Sequence, residues 1–155
     1  MTTEPPVPID LAQIDVRATT DLLPFAAPVE NAVSAWNDRD VLWLGPDEWL
    51  VVAEPNAAST IVHELEDALS GHHRSILDVS ANRIVFELID GLEELSSGCG
   101  LDLHPTRWRP GRCAQTLFGQ AQVILHQRDE RTTRVFVRPS FERYLIDLLT
   151  ASRIS

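Results

Sequence analysis

The sequence predicts an α+β fold, with a largely antiparallel sheet and a few packed helices. Short segments rich in β-branched and aromatic residues recur from residue 40 onwards, and clusters of turn residues separate them. A few other segments carry apolar residues at helical spacing. Strands joined by hairpin turns, with only a few helices among them, are typical of an antiparallel α+β architecture.

The clearest hairpin lies in the first half of the chain. Asp40–Leu44 and Glu48–Ala53 have the composition of strands, and Gly45-Pro46-Asp47 supplies a turn between them. Trp43 and Trp49 lie in these strands, and we expect both indole rings in the core.

The best-defined helix is predicted over residues 57–70, with Asn56 as its N-cap and Gly71 at its end. Its core-facing stripe consists of apolar residues at helical spacing, namely Ile61, Val62, Leu65, Ala68 and Leu69. Its acidic residues fall largely off that stripe, and we expect them in solvent: Glu64, Glu66 and Asp67.

The second half of the chain alternates strands with two helices. Further strands are predicted at 75–80, 83–88, 114–118, 122–126 and 134–137. A short helix is predicted near 92–97, and a final helix with Ser140 as its N-cap presents an apolar stripe over 141–149. We therefore predict an N-terminal arm and lead-in over residues 1–37 and a single domain over 38–155.

Composition and charge exclude several classes of function. The formal net charge is -10, which argues against a nucleic-acid partner. All 13 basic residues are arginine, so lysine Schiff-base chemistry is excluded. The sequence has no apolar run of transmembrane length, and its first residues lack the features of a signal peptide. We expect a cytoplasmic protein that does not bind membranes, with Cys99 and Cys113 as free thiols.

The densest group of reactive side chains lies in residues 98–113. Cys99, His104 and Cys113 include metal-ligand types, but no CxxC or HxxxH spacing is present. A cysteine nucleophile with His104 as its base would need an oriented base and an oxyanion site, and the pattern shows neither. Asp102 and His104 are more typical of a pair that ties a turn. The sequence also lacks GxGxxG, P-loop and GxSxG motifs. We therefore predict no catalytic, cofactor-binding or metal-binding residue.

The same segment contains a candidate subunit interface, formed by Arg107, Trp108 and Arg109. Tryptophan and arginine are enriched at the energetic centres of interfaces, and Pro105 and Pro110 stiffen this loop. The alternative is a loop folded over its own core, with the arginines in water. The sequence leaves both interpretations open.

Several short motifs together resemble one known family. They are Leu44-Gly45-Pro46-Asp47-Glu48-Trp49-Leu50, Asp78-Val79-Ser80 with Arg83, Asp90-Gly91, Leu101-Asp102-Leu103-His104-Pro105, Pro110-Gly111-Arg112-Cys113-Ala114-Gln115-Thr116, and Val137-Arg138-Pro139-Ser140-Phe141. Over residues 38–150 the chain resembles the gamma subunit of heterotetrameric sarcosine oxidase. The run over 101–116 is the most specific part of the likeness.

The resemblance implies a fold similar to one folate-binding domain of the glycine-cleavage aminomethyltransferases (T-proteins). It also implies alpha, beta and delta subunits as partners, in an assembly that oxidatively demethylates sarcosine to glycine with oxygen and tetrahydrofolate. FAD, FMN, NAD, tetrahydrofolate and zinc would then belong to the partner subunits. No catalytic residue of the family maps onto this chain, which predicts an accessory role.

Two other hypotheses remain at this point. One is a stand-alone folate-dependent, aminomethyltransferase-like enzyme or folate-binding protein. The other is a regulatory or binding module with a different partner. Fold alone does not decide among them.

Overall fold

The computed structural model describes residues 6–19 and 21–154, which fall into two compact units. One unit is Asp10–Ala81, and the other is Met1–Ile9 with Asn82–Ser155. Each unit contains a five-stranded antiparallel sheet, which confirms the predicted fold class. The single domain predicted over 38–155 stays a prediction; the boundary between the two units falls within it, after Ala81.

The described residues form ten strands and three α-helices. In chain order they are β1 (Pro8–Ile9), β2 (Ala12–Ala18), β3 (Val33–Trp36), β4 (Arg39–Gly45), β5 (Glu48–Ala53), α1 (Ala58–Ala68), β6 (Arg74–Asp78), β7 (Ile84–Ile89), α2 (Leu92–Ser96), β8 (Cys113–Phe118), β9 (Ala121–Gln127), β10 (Thr132–Val137) and α3 (Glu142–Ile154). All strands predicted from the sequence are present, with bounds shifted by up to two residues.

The sheet of the Asp10–Ala81 unit has the strand order β3-β4-β5-β2-β6. The predicted hairpin is the β4–β5 pair, with Trp43 opposite Trp49 and a register shift before Gly45. Trp49 lies in the core, whereas Trp43 is only half-buried. Helix α1 packs Ile61 and Leu65 against this sheet.

Strand β2 lies within residues 1–37, the segment predicted from the sequence to be an arm and lead-in. It pairs with both β5 and β6, so it is an interior strand of its sheet. Ile14 and Val16 on one face are fully buried. Gln13 and Asp15 on the other face are also buried, so the polar residues of this strand do not face solvent.

The sheet of the other unit has the strand order β1-β7-β10-β9-β8. Helices α2 and α3 contribute to a single apolar core on one face of this sheet. The largest fully buried side chains in that core are Phe86, Phe118, Leu95, Leu125 and Leu145. The final predicted helix is therefore confirmed as a core element.

Two local predictions about the helices are wrong. Asn56 lies in a 3-10 turn over Pro55–Ala57 that precedes α1, and no side chain caps that helix. Ser140 likewise lies within a 3-10 turn, over Pro139–Phe141, rather than at a helix cap. In both places a proline opens a tighter turn ahead of the α-helix.

Three acidic residues of α1 are predicted to lie in solvent, and two of them, Glu64 and Glu66, instead pair with arginines. Arg39, which stacks 4.5 Å from the Trp36 ring centroid, donates to both carboxylate oxygens of Glu64 at 2.5 and 3.3 Å. This hydrogen bond holds the pKa of Glu64 below its ordinary value. Glu66 accepts two hydrogen bonds from Arg74.

Within the described part of the chain, no helix is long and apolar enough to cross a membrane.

Candidate functional site

The segment 98–113 is an irregular loop that is fixed at both ends to β8 and β9. At its start, Cys99 forms an isolated β-bridge with Phe118, and the Gly98 carbonyl accepts the Gly119 N–H at 2.8 Å. At its end, the Gly111 N–H donates to the Gln127 carbonyl at 2.9 Å. The loop is therefore an extension of the sheet edge, held by backbone hydrogen bonds.

Trp108 fastens the middle of this loop to the core. Its side chain is only 4% exposed, and it belongs to the same apolar cluster as the sheet and α3. The indole Nε1–H donates to Gln127 Oε1 at 2.7 Å, and the Thr133 hydroxyl donates to the same oxygen at 2.6 Å. The Gln127 amide nitrogen in turn donates to the Asp129 carbonyl at 2.7 Å. Burial and a satisfied indole N–H give Trp108 a structural role within this chain.

Asp102 and His104 tie a turn, as their spacing predicts. Asp102 Oδ1 accepts the backbone N–H of His104 at 3.0 Å, and His104 Nδ1 hydrogen-bonds the Thr106 hydroxyl at 2.9 Å. The exposed Arg107 guanidinium lies 3.5 Å from Asp102 Oδ2. These contacts are local to the loop and orient its backbone.

The two cysteines and His104 have separate environments. Cys99 is half-buried, with its Sγ 3.7 Å from the Thr116 hydroxyl, and Cys113 is fully buried in β8. Both are free thiols, as predicted. Among the described residues, no group of three or more His, Cys, Asp or Glu side chains is arranged to hold a metal ion.

The candidate interface of Arg107, Trp108 and Arg109 therefore divides into a buried residue and two exposed ones. Trp108 packs on its own core, which is the second of the two interpretations that the sequence left open. Arg107 and Arg109 are exposed on either side of it. Subunit docking by this loop stays a prediction, and within it the two arginines, rather than the indole ring, are the groups available to a partner.

A largely buried polar row, which no sequence pattern predicts, crosses four strands. Cys113, His126, Arg134 and Glu87 are consecutive partners in the antiparallel register of β8, β9, β10 and β7. His126 is 3% exposed, and its Nδ1 atom has no hydrogen-bond partner among the described residues. Arg134 Nε donates to Glu87 Oε2 at 3.0 Å.

The surroundings of His126 keep its ring neutral. Burial lowers its pKa to about 3, and the positive charges of Arg134 and Arg128 add to that effect. A neutral imidazole with an unpaired nitrogen inside a sheet costs stability unless function or packing compensates. His126 lies within five consecutive buried residues of β9, Val123–Gln127. An ionisable side chain in such a segment is unusual.

Comparison with known proteins identifies the family. A model described as "Sarcosine oxidase, gamma subunit family" matches residues 12–153. The sarcosine oxidase subunit gamma of Corynebacterium sp. strain U-96 is 36% identical over 111 residues, which cover 70% of this chain and 53% of the relative. That of Arthrobacter sp. is 36% identical over 128 residues, which cover 79% and 62%. The chain thus spans a little over half the length of these curated relatives.

Two solved structures share the fold. A chain of heterotetrameric sarcosine oxidase from Corynebacterium sp. U-96, in complex with pyrrole 2-carboxylate, matches with a TM-score of 0.84 at 28% identity. The match covers 94% of this chain and 80% of that chain. Glycine cleavage system aminomethyltransferase T from Bartonella henselae matches with a TM-score of 0.68 at 13% identity, over 92% of this chain and 44% of that one. The second likeness concerns fold alone and confirms the predicted similarity to the aminomethyltransferase fold.

The family model covers nearly all of the described chain, the relatives exceed 30% identity over more than two thirds of it, and the fold agrees across both units. The chain belongs to the sarcosine oxidase gamma subunit family.

Proposed function

We propose that this chain is the accessory, non-catalytic gamma subunit of a heterotetrameric sarcosine oxidase. The observation that carries the proposal is the fold agreement over 94% of the chain with a chain of such a tetramer, at a TM-score of 0.84. The family match over residues 12–153 supports the same assignment.

The loop geometry supports an accessory role. The reactive side chains of 98–113 serve as structural ties: His104 hydrogen-bonds Thr106, and Trp108 hydrogen-bonds Gln127. A catalytic dyad would instead require a nucleophile and a base within hydrogen-bond reach of each other. This chain's part in the reaction is to brace the subunits that bind sarcosine.

In this proposal the partners are the alpha, beta and delta subunits, and FAD, FMN, NAD, tetrahydrofolate and zinc are bound by them. The assembly removes the N-methyl group of sarcosine oxidatively, which yields glycine. Oxygen accepts the electrons and becomes hydrogen peroxide, and tetrahydrofolate accepts the one-carbon unit. The protein would act in the cytoplasm.

The alternative, a stand-alone folate-dependent or folate-binding protein, rests on the likeness to aminomethyltransferase T. At 13% identity that likeness supports the fold and not the activity. The match covers 44% of the aminomethyltransferase chain.

Reconstitution separates the two hypotheses. We expect the purified chain to be colourless, to bind no tetrahydrofolate on calorimetric titration, and to produce no hydrogen peroxide from sarcosine. Co-expressed with the alpha, beta and delta subunits, it should copurify with them in an assembly that oxidises sarcosine. Saturable folate binding by the isolated chain at micromolar concentration would favour the alternative instead.

A further inference from the structure

A shallow groove lies on one face of the sheet formed by β7, β8, β9 and β10. Its volume is about 350 Å³, and its lining includes Arg83, Gln115, Leu117, Ile124, Phe136 and Arg138. We call it the Arg138 groove. It belongs to the face opposite α2 and α3, because Ile124 and Phe136 alternate along their strands with Val123, Leu125, Val135 and Val137 of the helix-covered core.

The floor of the Arg138 groove is apolar, and one wall is an exposed leucine. Phe136 and Ile124 are 1% and 5% exposed, so the apolar surface that a partner could cover is that of Leu117. Leu117, on β8, is 52% exposed beside them. β8 is an edge strand of its sheet. A partner that covers Leu117 would remove apolar surface from water, which is favourable.

Two arginines, Arg83 and Arg138, line the groove, and Arg138 is the exposed one. Arg83 precedes β7 and Arg138 follows β10, and these strands are antiparallel neighbours paired up to Ile84 and Val137. The two cations therefore lie at the same end of the sheet. The described residues that line the groove include no Asp or Glu, although the chain as a whole has a formal net charge of -10. The groove is thus a cationic and apolar site on an acidic protein, complementary to a carboxylate next to an apolar side chain.

The shape of the groove favours a protein segment as its occupant. Sites for small molecules bury most of the ligand surface. Here Gln115, Leu117, Gln122 and Arg138 are all exposed, so a small ligand would remain in contact with water. An exposed leucine beside exposed polar and cationic side chains resembles half of a protein interface, in which an apolar centre is surrounded by polar groups.

We propose that the Arg138 groove docks a segment of a larger subunit of the oxidase, with a carboxylate of that segment at Arg138 and an apolar side chain over Leu117. This inference rests on the proposed function, since it requires that the chain assembles with larger subunits. It concerns a surface separate from the loop that carries Arg107 and Arg109, whose docking is a prediction from the sequence.

The test uses the full chain co-expressed with the alpha, beta and delta subunits. Arg138→Glu reverses the charge at the rim, and Leu117→Ala removes the exposed apolar wall. Arg143→Glu is the matched control, because Arg143 is an exposed arginine on α3 with an ion pair to Asp147. Arg143 lies on the helix that covers the other face of the sheet. Thermal unfolding of each isolated variant checks that it is folded.

We expect Arg138→Glu to weaken assembly at least tenfold and to reduce its salt dependence, since rim charges govern both association and screening. Leu117→Ala should weaken assembly severalfold, and Arg143→Glu should leave it unchanged. Wild-type affinity in both groove variants would overturn the proposal while leaving the proposed function intact. Failure of the wild-type chain to assemble would overturn both. A homodimer of the isolated chain that Arg138→Glu dissociates would assign the groove to self-association and contradict the proposal.

Discussion

The buried His126 makes a specific prediction about the pH dependence of stability. In the folded chain its pKa is lowered to about 3, mainly by burial and also by Arg134 and Arg128. In the unfolded chain an ordinary histidine has a pKa of about 6.5. Between these two values the unfolded state binds a proton that the folded state does not. The free energy of unfolding must therefore fall as the pH is lowered from about 7 towards 3.

The size of this effect follows from the two pKa values. Each pH unit below the unfolded pKa shifts the equilibrium by about 1.4 kcal/mol, and this continues until the folded pKa is reached. Between pH 7 and pH 5, His126 alone should then lower the free energy of unfolding by about 2 kcal/mol. Glu64, Asp90 and Asp129, whose pKa values are lowered in the folded chain, act in the same direction as the pH falls through their own range.

A substitution separates the histidine from the carboxylates. His126→Gln removes the titrating ring and leaves every acidic residue in place. Urea unfolding at pH 7 and pH 5 should show that the variant loses about 2 kcal/mol less than the wild-type chain over this interval. His104→Gln is the matched control, because it makes the same substitution at an exposed histidine of the 98–113 loop.

A direct measurement guards against a variant that folds poorly. The ring resonances of His126 in the wild-type chain, followed by NMR, should not titrate between pH 7 and pH 5. Equal losses of stability in the wild-type chain and in His126→Gln, or a ring that titrates near pH 6.5, would refute the reasoning.

Two further predictions concern the candidate loop and its neighbouring turn. Trp108→Ala should lower the free energy of unfolding by about 3–5 kcal/mol, as expected for a buried aromatic residue. Trp108→Phe, which mainly loses the hydrogen bond to Gln127, should lower the free energy of unfolding by about 1–3 kcal/mol. Urea unfolding measures both changes. Wild-type stability of Trp108→Ala would show that the ring is not part of the core. Gly119→Ala should cost about 2 kcal/mol or more, because Gly119 has φ +58° and an added Cβ would overlap Tyr144 Oη. A melting temperature of Gly119→Ala equal to that of the wild-type chain would contradict the turn geometry. Gly100→Ala, at an exposed glycine, is the control.

Local chemistry made parts of the fold predictable from the sequence. The β4–β5 hairpin was predicted because Gly45-Pro46-Asp47 separates two strand-forming segments. The stripe of α1 was predicted because Ile61, Leu65 and Leu69 recur at helical spacing. These features depend on neighbours within a few residues, where propensity and periodicity act.

Features that depend on distant residues were missed. Strand β2 lies within the predicted arm and lead-in and alternates Ile14 and Val16 with Gln13 and Asp15, and both of its faces are buried. Burial of the second face is a property of tertiary structure and leaves no mark on the alternation itself.

The candidate loop shows the same limit. The sequence left the environment of Trp108 open, because the residue that accepts its indole N–H, Gln127, is 19 positions away on β9. The burial of His126 likewise depends on the strands paired on either side of it. Whether a polar residue within an apolar strand is buried depends on which strands pair on either side of it, and that order is a property of the folded sheet.

The central claim is that this chain is a stoichiometric subunit of a sarcosine oxidase heterotetramer. The most direct test is native mass spectrometry of the affinity-tagged full chain, purified together with its co-expressed alpha, beta and delta subunits. We expect one complex that contains a single copy of each of the four subunits and oxidises sarcosine with formation of hydrogen peroxide. A fully active complex of the other three subunits, with this chain recovered separately as a free protein, would contradict it.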